Sequence, residues 1–304
     1  MEKIKIAAVI VTYNRLALIK KVLNSFAKQS RIPDYIIVVN NASTDGTKEY
    51  LEYWEKERVE GQRKFVLNTK SNFGGSGGFF LGTEKALQTD ATWIWVSDDD
   101  AFPHCDVFEK AEKHFVELGE RNDISAICTQ VRTDGKVAES NRSRRNMGIL
   151  RMSLTHVPKE EYEKKVFECD SFSYVGVFMN SNALNKVGLI NKEYFIWRDD
   201  VEHSWRLSNV GKIYCYPDMI VDHQIQKNDY EGISWKTYYG YRNDMLMYKA
   251  HKKFIYYCTK MLTAYIKSIR EKNPIAKMLY RDAIKGAKLN EKGLNKKYYP
   301  GIKI

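Results

Sequence analysis

Residues 91–106 read ATWIWVSDDDAFPHCD, and two kinds of structure meet within this stretch. Residues 93–96 form a short apolar run of strand-forming side chains, which predicts a buried β-strand. Three carboxylates follow at once, at Asp98, Asp99 and Asp100. Like charges at the end of a buried strand repel one another unless a positive group lies among them. The stretch therefore predicts either a cation-binding cluster or a solvated acidic turn.

The cation that suits such a cluster is a hard divalent metal. Oxygen ligands on a short turn favour Mg²⁺ or Mn²⁺, and Mg²⁺ commonly binds one or two carboxylates together with substrate phosphates. In an extended segment Asp98 and Asp100 point to the same side of the chain. We therefore expect these two carboxylates to share the metal.

The composition of the 304 residues is that of a globular protein, with 43% hydrophobic and 13% aromatic side chains. Five scattered cysteines without a CxxC pair argue against a disulfide framework and a zinc site, and favour a reducing cytosol. The chain has no run of 18 apolar residues, and the apolar run near its start is too short for a signal peptide. We therefore expect a cytoplasmic protein that does not span a membrane.

The net charge of +11 resides in the tail of the chain. Residues 251–304 contain 14 Lys and Arg against three acids, whereas the first 250 residues contain 35 of each sign. Residues 235–269 mix basic side chains with aromatic ones such as Tyr238 and Tyr239, which predicts one or two amphipathic helices. Such helices lie on anionic membranes or pack on a neighbouring domain. The neutral body and the acidic cluster argue against a third partner, nucleic acid.

Strand-like and helix-like segments alternate in the first half of the chain. Apolar runs predict strands at 4–11, 35–39, 65–67 and 93–96. Helical spacing of apolar residues predicts helices at 16–29, around 50–54 and at 80–88. The alternation is typical of an open, mostly parallel α/β sheet, which binds ligands at the carboxyl ends of its strands.

Polar clusters follow these predicted strands. Asn14 and Arg15 come after the first strand, and either solvate a turn or contact a ligand. Asp45 comes after the second strand, where helix capping alone would explain it. Four glycines within residues 74–78 indicate close approach of the backbone to another group, although neither a GxGxxG fingerprint nor a Walker A motif is present.

The second half of the chain contains further candidates. We expect a strand at 124–128, a strand-like segment at 174–179 and short strands at 213–216 and 219–221. Between the first two lies a basic stretch that predicts a loop, either solvated or in contact with an anion. Its basic residues are Arg142, Arg144, Arg145 and Arg151.

An aromatic run meets two carboxylates at residues 194–203, YFIWRDDVEH. Asp199 and Asp200 open a predicted helix, where the helix macrodipole favours negative charge. The alternative is a general base held in an aromatic pocket. His223 follows the last predicted strand, and a lone histidine there is either structural or a ligand.

Together these residues resemble family-2 inverting glycosyltransferases of the GT-A fold, and the resemblance covers residues 4–242. It rests on the order and spacing of the motifs at 12–15, 40–46, 98–100, 197–200 and His223. Within that family, the stretch at 72–79, the three aspartates and the aromatic-Asp-Asp motif resemble bacterial galactofuranosyltransferases. Rhamnosyltransferases of capsule and O-antigen assembly are also similar.

The resemblance implies a role for each motif. It implies that Asp98, Asp100 and His223 hold Mn²⁺ or Mg²⁺, and that Asp200 is the general base of a single displacement with inversion. The residues implied to bind the nucleotide sugar are Thr12, Asn14, Arg15, Asp45, Asn72, Gly75, Ser76, Asp98 and Asp99. Those implied to contact the acceptor are Trp197, Asp199, Glu202 and His203. Arg198 occupies a position where the family is expected to carry a neutral or aromatic residue.

The domain organisation and substrates follow from the same resemblance. We expect a catalytic domain at 1–232, with a nucleotide-sugar half at 1–100 and an acceptor half at 101–232. Residues 233–304 should form a helical basic extension at the inner face of the cell membrane. The implied reaction transfers galactofuranose from UDP-galactofuranose, or alternatively rhamnose from dTDP-rhamnose, to a lipid-linked or polysaccharide acceptor, one linkage at a time. A non-catalytic module that binds nucleotide sugar or nucleic acid is the rival class.

Overall fold

The computed structural model describes residues 4–119, 123–224, 232–302 and 304. The first half follows the predicted alternation of strands and helices. Its elements are β1 (Ile6–Thr12), α1 (Leu16–Ala27), β2 (Tyr35–Asn40), α2 (Thr47–Lys56), β3 (Arg63–Asn68), α3 (Gly74–Leu87), β4 (Trp93–Asp98), β5 (Ala101–Pro103) and α4 (Val107–Leu118).

The second half adds short strands, and the chain ends in helices. The elements up to residue 223 are β6 (Ile124–Thr133), β7 (Lys136–Val137), β8 (Arg142–Met147), β9 (Met152–His156), β10 (Phe167–Cys169), β11 (Ser171–Phe172), β12 (Val177–Asn180), α5 (Ser181–Val187), α6 (Asp199–Ser208) and β13 (Lys212–His223). The last three helices are α7 (Trp235–Ala250), α8 (Phe254–Arg270) and α9 (Pro274–Lys288).

The described residues form a mixed main sheet, with the strand order β10-β13-β6-β12-β4-β1-β2-β3, and a separate small sheet of three strands. β1 is parallel to both β2 and β4, β2 is parallel to β3, and β12 runs antiparallel between β4 and β6. The register pairs Thr12 with Asn40 and Val11 with Asp98. The carboxyl ends of β1, β2 and β4 therefore lie at one edge of the sheet, which confirms the predicted α/β architecture.

Helices cover both faces of the sheet, which explains the continuous apolar runs. Alternate residues of β1 pack to opposite sides, so that Val9 and Val11 lie with α3 whereas Ala8 and Ile10 lie with α1, α2 and α4. All seven residues of β1 are buried.

The glycine stretch forms the first turns of α3, which begins at Gly74 and therefore six residues before the predicted start. A Cβ at Gly82 would lie 2.2 Å from Val9 Cγ1, and one at Gly78 would lie 2.4 Å from Val11 Cγ1. These glycines allow α3 to lie unusually close to β1. The glycines were predicted to let the backbone lie close to another group, and for Gly78 and Gly82 that group is strand β1.

The prediction of a basic loop at 142–151 is wrong. Residues 142–156 form the β8–β9 hairpin of a small three-stranded sheet. The Arg142 side chain is fully buried and donates to the carbonyl oxygens of Thr129, at 3.1 Å, and Val175, at 2.8 Å. Buried carbonyl groups far away in the sequence therefore bind this guanidinium, and Arg142 is unavailable to a solvent anion.

Two further expectations change in detail. The strands predicted at 213–216 and 219–221 form one strand, β13, whose register shifts between Tyr216 and Ile220. Residues 235–269 form two helices, α7 and α8, as expected, but α9 follows them, and Tyr238 and Tyr239 are fully buried against Phe195 and Leu279. Among the described residues, none of the helices has both the length and the apolar character that crossing a bilayer requires.

The packing of α3 on β1 gives a prediction for stability. Gly82→Ala should lower the free energy of unfolding by about 1–3 kcal/mol, because the new methyl group overlaps Val9. Gly75→Ala lies on the same helix, meets no atom within 4 Å, and should be neutral or slightly stabilising. Urea denaturation followed by circular dichroism measures both variants. Equal effects of the two substitutions would contradict the role of Gly82 in packing.

Candidate active site

The three aspartates lie at the carboxyl edge of the sheet, and Arg15 supplies the positive charge that they require. Arg15 Nη1 donates to Asp99 Oδ1 at 2.9 Å and to Asp100 Oδ2 at 2.8 Å. Thr12 Oγ1, at the end of β1, donates to Asp99 Oδ2 at 2.6 Å. Asp99 and Asp100 are 2% and 7% exposed, so that these contacts replace most of their hydration. The solvated acidic turn is therefore excluded.

One guanidinium does not balance the negative charge of this cluster. Burial, together with the charges of Asp100 and Asp99, raises the pKa of Asp98 well above its usual range. Burial raises the pKa of Asp99 to about 6, although Arg15 and Thr12 act against it. For Asp100, His223 and Arg15 outweigh burial and lower the pKa. The edge retains an excess of negative charge that favours a further cation.

The residues at this edge suit a divalent metal in type. His223 Nε2 lies 3.2 Å from Asp100 Oδ1, which places an imidazole beside a carboxylate oxygen. On the other side of the ring, His223 Nδ1 is buried without a hydrogen-bond partner in the part of the chain that the structure describes. Within those same residues, no three His, Cys, Asp or Glu side chains form a ready metal group. A metal there would need ligands from a bound substrate, as Mg²⁺ commonly does.

Asp45 and Asn14 join the turns that follow β1 and β2. Asp45 accepts from the backbone N–H of Leu16, at 2.9 Å, and from that of Thr47, at 3.2 Å, so it binds the first turns of α1 and α2. Asn14 Oδ1 accepts from the backbone N–H of Thr44 at 2.7 Å. Both side chains are exposed. The capping role is observed, and contact with a nucleotide stays a prediction.

The segment at 72–76 meets the aromatic loop of the second half. Asn72 Oδ1 accepts from Gly74 N at 2.7 Å, and Ser76 N donates to the carbonyl oxygen of Phe195 at 3.2 Å. Gly74 has φ +73°, and a Cβ there would lie 1.9 Å from that same oxygen. Gly75 instead has no atom within 4 Å of its Cβ position, so open space remains beside it for a ligand.

The loop before α6 is conformationally strained. Phe195, Trp197 and Arg198 have φ angles of 67°, 64° and 71°, which side-chain-bearing residues rarely adopt. Such strain persists only where the surroundings enforce it, and it is concentrated at functional sites. The loop ends at Asp199 and Asp200, the first two residues of α6.

The two carboxylates of α6 differ in solvent exposure, and the pKa of each is raised. Asp199 is buried, and burial together with the charge of Asp200 raises its pKa to about 7. Asp200 is half-buried, and burial raises its pKa while the N–H of Val201 and the charge of Arg198 act in the opposite direction. The charge of Asp199 also contributes to the raised pKa of Asp98. The two carboxylate clusters are therefore close enough to interact.

Three consecutive residues of α7 hold this loop, and the sequence alone gave no indication of them. Asn243 Nδ2 donates to the carbonyl oxygens of Tyr194, Ile196 and Trp197 at 3.0, 3.0 and 2.8 Å. Neighbouring Arg242 also donates to Tyr194 O, at 2.9 Å. A helix read only for its apolar spacing does not reveal polar side chains that point inward.

Arg198, for which the sequence suggested no function, forms an ion pair with the same helix, α7. Its Nε lies 2.8 Å from Oδ1 of Asp244 on α7. The Trp197 ring packs beside Gly240, where a Cβ would lie 3.1 Å from the ring. The ion pair of Arg198 and the packing of Trp197 thus join the aromatic-Asp-Asp motif to α7.

Glu202 and His203 are buried and have structural partners. Glu202 Oε1 accepts from Arg206 Nε at 2.8 Å and lies 3.2 Å from His251 Nε2. His203 pairs with the Tyr174 hydroxyl at 2.8 Å, and burial lowers its pKa to about 3. A contact between either side chain and an acceptor would require these interactions to break. Trp197 and Asp199 remain the acceptor candidates beside Asp200.

Comparison with known proteins identifies the class. The family model described as Glycosyl transferase family 2 matches residues 7–182, more than half of the chain. The chain therefore belongs to glycosyl transferase family 2 and is a glycosyltransferase. Its structure is similar to that of GalNAc-T7 solved with UDP, GalNAc and Mn²⁺, with a TM-score of 0.63 and 13% identity over 93% of this chain and 55% of that one. This likeness confirms the GT-A fold.

Galactofuranosyltransferases are among the sequence relatives. The chain is 27% identical to galactofuranosyltransferase GlfT1 of Mycobacterium tuberculosis over 211 residues, which cover 67% of this chain and 64% of that protein. It is 38% identical to GlfT1 of Mycolicibacterium smegmatis over 100 residues, which cover 32% of this chain and 30% of that protein. The matches span less than two thirds of either relative. They support the resemblance to galactofuranosyltransferases inferred from the motifs.

The structural role of Glu202 is testable through stability. Although burial opposes it, His251 and Arg206 lower the pKa of Glu202 to about 2, so the ionised carboxylate stabilises the fold above its unfolded pKa. Glu202→Gln should lower the free energy of unfolding by about 2–3 kcal/mol at pH 7, and this difference should shrink between about pH 5 and pH 2.

Glu168→Gln is the matched control, because Glu168 pairs with Lys212 at the surface, where both side chains are 49% exposed. It should change stability by less than about 1 kcal/mol. Denaturant titrations across this pH range measure both variants. A Glu202→Gln variant as stable as the wild type at pH 7 would show that the buried pair is unimportant for the fold.

Proposed function

We propose that this chain is a metal-dependent, inverting glycosyltransferase that moves galactofuranose from UDP-galactofuranose to a glycan or lipid-linked acceptor in bacterial cell-surface synthesis. The observation that carries the proposal is a pair of carboxylate clusters, at the carboxyl end of β4 and at the start of α6, with the glycine segment of α3 hydrogen-bonded both to Asn41 after β2 and to the loop before α6. One cluster, at 98–100, is suited to a diphosphate with its metal, and the other, at 199–200, is suited to a base. A binding module would need only the first.

On the donor side, the residues at the ends of β1 and β4 would bind the nucleotide diphosphate. Arg15 lies at the mouth of the cluster, with about a third of its side chain exposed, and can pair with phosphate oxygens. Asp98, Asp100 and His223 would hold Mn²⁺ or Mg²⁺, which when bound neutralises charge developing on the leaving diphosphate. The open space beside Gly75 allows the backbone to approach the donor.

On the acceptor side, Asp200 would act as the general base. The acceptor oxygen would form its bond to the anomeric carbon while the bond to UDP breaks, and Asp200 would take the hydroxyl proton. Its partial exposure leaves it accessible to a hydroxyl, whereas Asp199 is enclosed and would orient it. A raised pKa suits a base that works near neutral pH. Trp197 would form a wall for the acceptor sugar.

The identity of the sugar rests on the galactofuranosyltransferase relatives. The alternative donor is dTDP-rhamnose, which would use the same fold and the same base. Both alternatives predict metal-dependent turnover of a nucleotide sugar and loss of that turnover without Asp200.

The catalytic assignment is tested with a panel of nucleotide sugars, with and without Mn²⁺. Wild-type protein should consume UDP-galactofuranose only with metal, and Asp200→Asn should lower kcat by at least about 10²-fold, the usual contribution of a general base. If the protein turned over dTDP-rhamnose and no other donor, the proposed donor would change to dTDP-rhamnose and the proposed mechanism would stand. Full activity of Asp200→Asn would contradict the assignment of the base.

The pH dependence distinguishes the two neighbouring carboxylates. Because the base must be ionised and its pKa is raised, the fall of kcat with decreasing pH should set in at a higher pH than the titration of an ordinary carboxyl would give. Burial and the charge of Asp200 raise the pKa of Asp199 to about 7, so Asp199 is largely protonated in the range where Asp200 loses its charge, and Asp199→Asn should leave this acid limb nearly in place. A limb shifted to lower pH in Asp199→Asn would show instead that a charge on Asp199 raises the pKa of the base.

We also infer that α8 contacts an anionic membrane at the cytoplasmic face. α8 buries Tyr256, Ala264 and Ser268, yet it exposes a row of apolar side chains on another face. Phe254, Ile255, Leu262, Tyr265 and Ile269 are between 53% and 73% exposed. Lys253 and Arg270 are exposed near the two ends of this row. Apolar residues flanked by cations favour the surface of an anionic bilayer.

Membrane contact is tested by sedimentation with liposomes. Wild-type protein should pellet with vesicles that contain anionic lipid, less so at high salt, and the double variant Leu262→Glu/Ile269→Glu should remain in the supernatant. Tyr53→Glu is the control, because Tyr53 is 67% exposed on α2, away from the basic tail. Equal pelleting of all three proteins, or retention by DNA in place of vesicles, would contradict the assignment.

A further inference from the structure

The loop from Tyr194 to Arg198 is held from outside by α7, which lies beyond the residues matched by the family model. Asn243 is fully buried, and its amide group faces three carbonyl oxygens of the loop, those of residues 194, 196 and 197. Its Oδ1 accepts from Arg242 Nε at 3.0 Å, which fixes the orientation of the amide. One side chain thus donates to three of the five carbonyl groups of this short loop.

Arg242 and Asp244, the residues on either side of Asn243, also bind the loop and the C-terminal segments around it. Arg242 is also fully buried, and its guanidinium donates to Tyr194 O and, at 3.0 Å, to Gly293 O. Asp244 is 4% exposed and pairs with Arg198 at 2.8 Å and with Lys260 of α8 at 2.5 Å. Three successive side chains therefore join the loop to the C-terminal helices.

The loop needs such support because its backbone is strained. Three of its residues have positive φ angles, a conformation that residues with side chains disfavour. On its inner side the loop accepts a backbone hydrogen bond from the glycine segment, from Ser76 N to Phe195 O. Without α7, the freed carbonyl groups and the strain would favour other conformations, and the start of α6 would shift with them.

We propose that Arg242, Asn243 and Asp244 are positioning residues that fix the strained loop and thereby aim the Asp199–Asp200 pair into the site. The C-terminal helices would then be part of the catalytic unit, in addition to any contact with a membrane. The effect on catalysis rests on the proposed function, whereas the effect on the loop does not.

The test compares Asn243→Ala and Asn243→Asp with a control on the same helix. Asn243→Asp keeps the size of the side chain and the acceptor for Arg242, but it turns an oxygen toward three carbonyl oxygens. Tyr239→Phe is the control, because the buried Tyr239 hydroxyl donates to Tyr298 O, at 2.7 Å, away from the loop. Hydrogen exchange followed by mass spectrometry reports on the peptide 194–200 without any substrate.

Both Asn243 variants should exchange faster over residues 194–200 and should lower kcat by about 10²-fold, the effect of a misplaced catalytic group. The KM for the donor should stay nearly unchanged, because the 98–100 cluster is untouched. Tyr239→Phe should leave kcat and the exchange of 194–200 as in the wild type. Asp244→Asn, which removes only the ion pairs, should show the same pattern in weaker form and serves if the Asn243 variants do not fold.

Unchanged exchange over 194–200 in folded Asn243 variants would overturn the proposal, as would faster exchange with an unchanged kcat. An equal fall of kcat in Tyr239→Phe would also overturn it, since general loosening of α7 would then suffice. If wild-type protein turns over no donor, the proposed function fails, and the exchange data still decide whether these residues hold the loop.

Discussion

The burial of several carboxylates at the end of one strand is the constraint on which this site depends. Asp99 and Asp100 are almost fully enclosed, and they are stabilised there by Arg15, Thr12 and His223. Arg15 belongs to the turn after β1, and the turn itself is held by Asp45 at the start of α2. The carboxylate cluster, the guanidinium and the capping interactions therefore form one connected structure. A surplus of negative charge remains, which is the physical reason to expect a bound cation there.

The second cluster depends on a different kind of support. Asp199 and Asp200 begin a helix, but the loop that precedes them adopts backbone angles that its own residues disfavour. The glycine segment contacts it from the sheet side, and α7 contacts it from outside. The two halves of the site are thus brought together by packing between elements that are far apart in the sequence. The C-terminal helices serve this packing through their buried faces, while α8 keeps an apolar face exposed.

Much of the fold could be predicted from local pattern, because buried parallel strands require continuous apolar runs and the ends of β1, β2 and β4 require polar turns. The polar residues at 12–15 and 98–100 were expected to come together at this edge for that reason, and they do. The β8–β9 hairpin was missed because Arg142 was read as a surface charge, whereas its burial is decided by carbonyl groups of residues 129 and 175. Asn243 was missed for a similar reason, since nothing near it in the sequence shows which groups it binds. Glu202 was assigned to the acceptor because it follows the Asp-Asp motif, whereas its distant partner His251 and its neighbour Arg206 hold it within the fold.

The central claim is that the edge carrying Asp98, Asp100 and His223 binds a nucleotide diphosphate together with a divalent metal. Diffraction from crystals grown with UDP and Mn²⁺, recorded at the manganese absorption edge, tests it most directly. The account predicts an anomalous peak beside Asp100 and His223, with the diphosphate in contact with the metal and the uridine near Thr12 and Arg15. Ordered UDP at another surface, or UDP at this edge without a manganese peak, would contradict it.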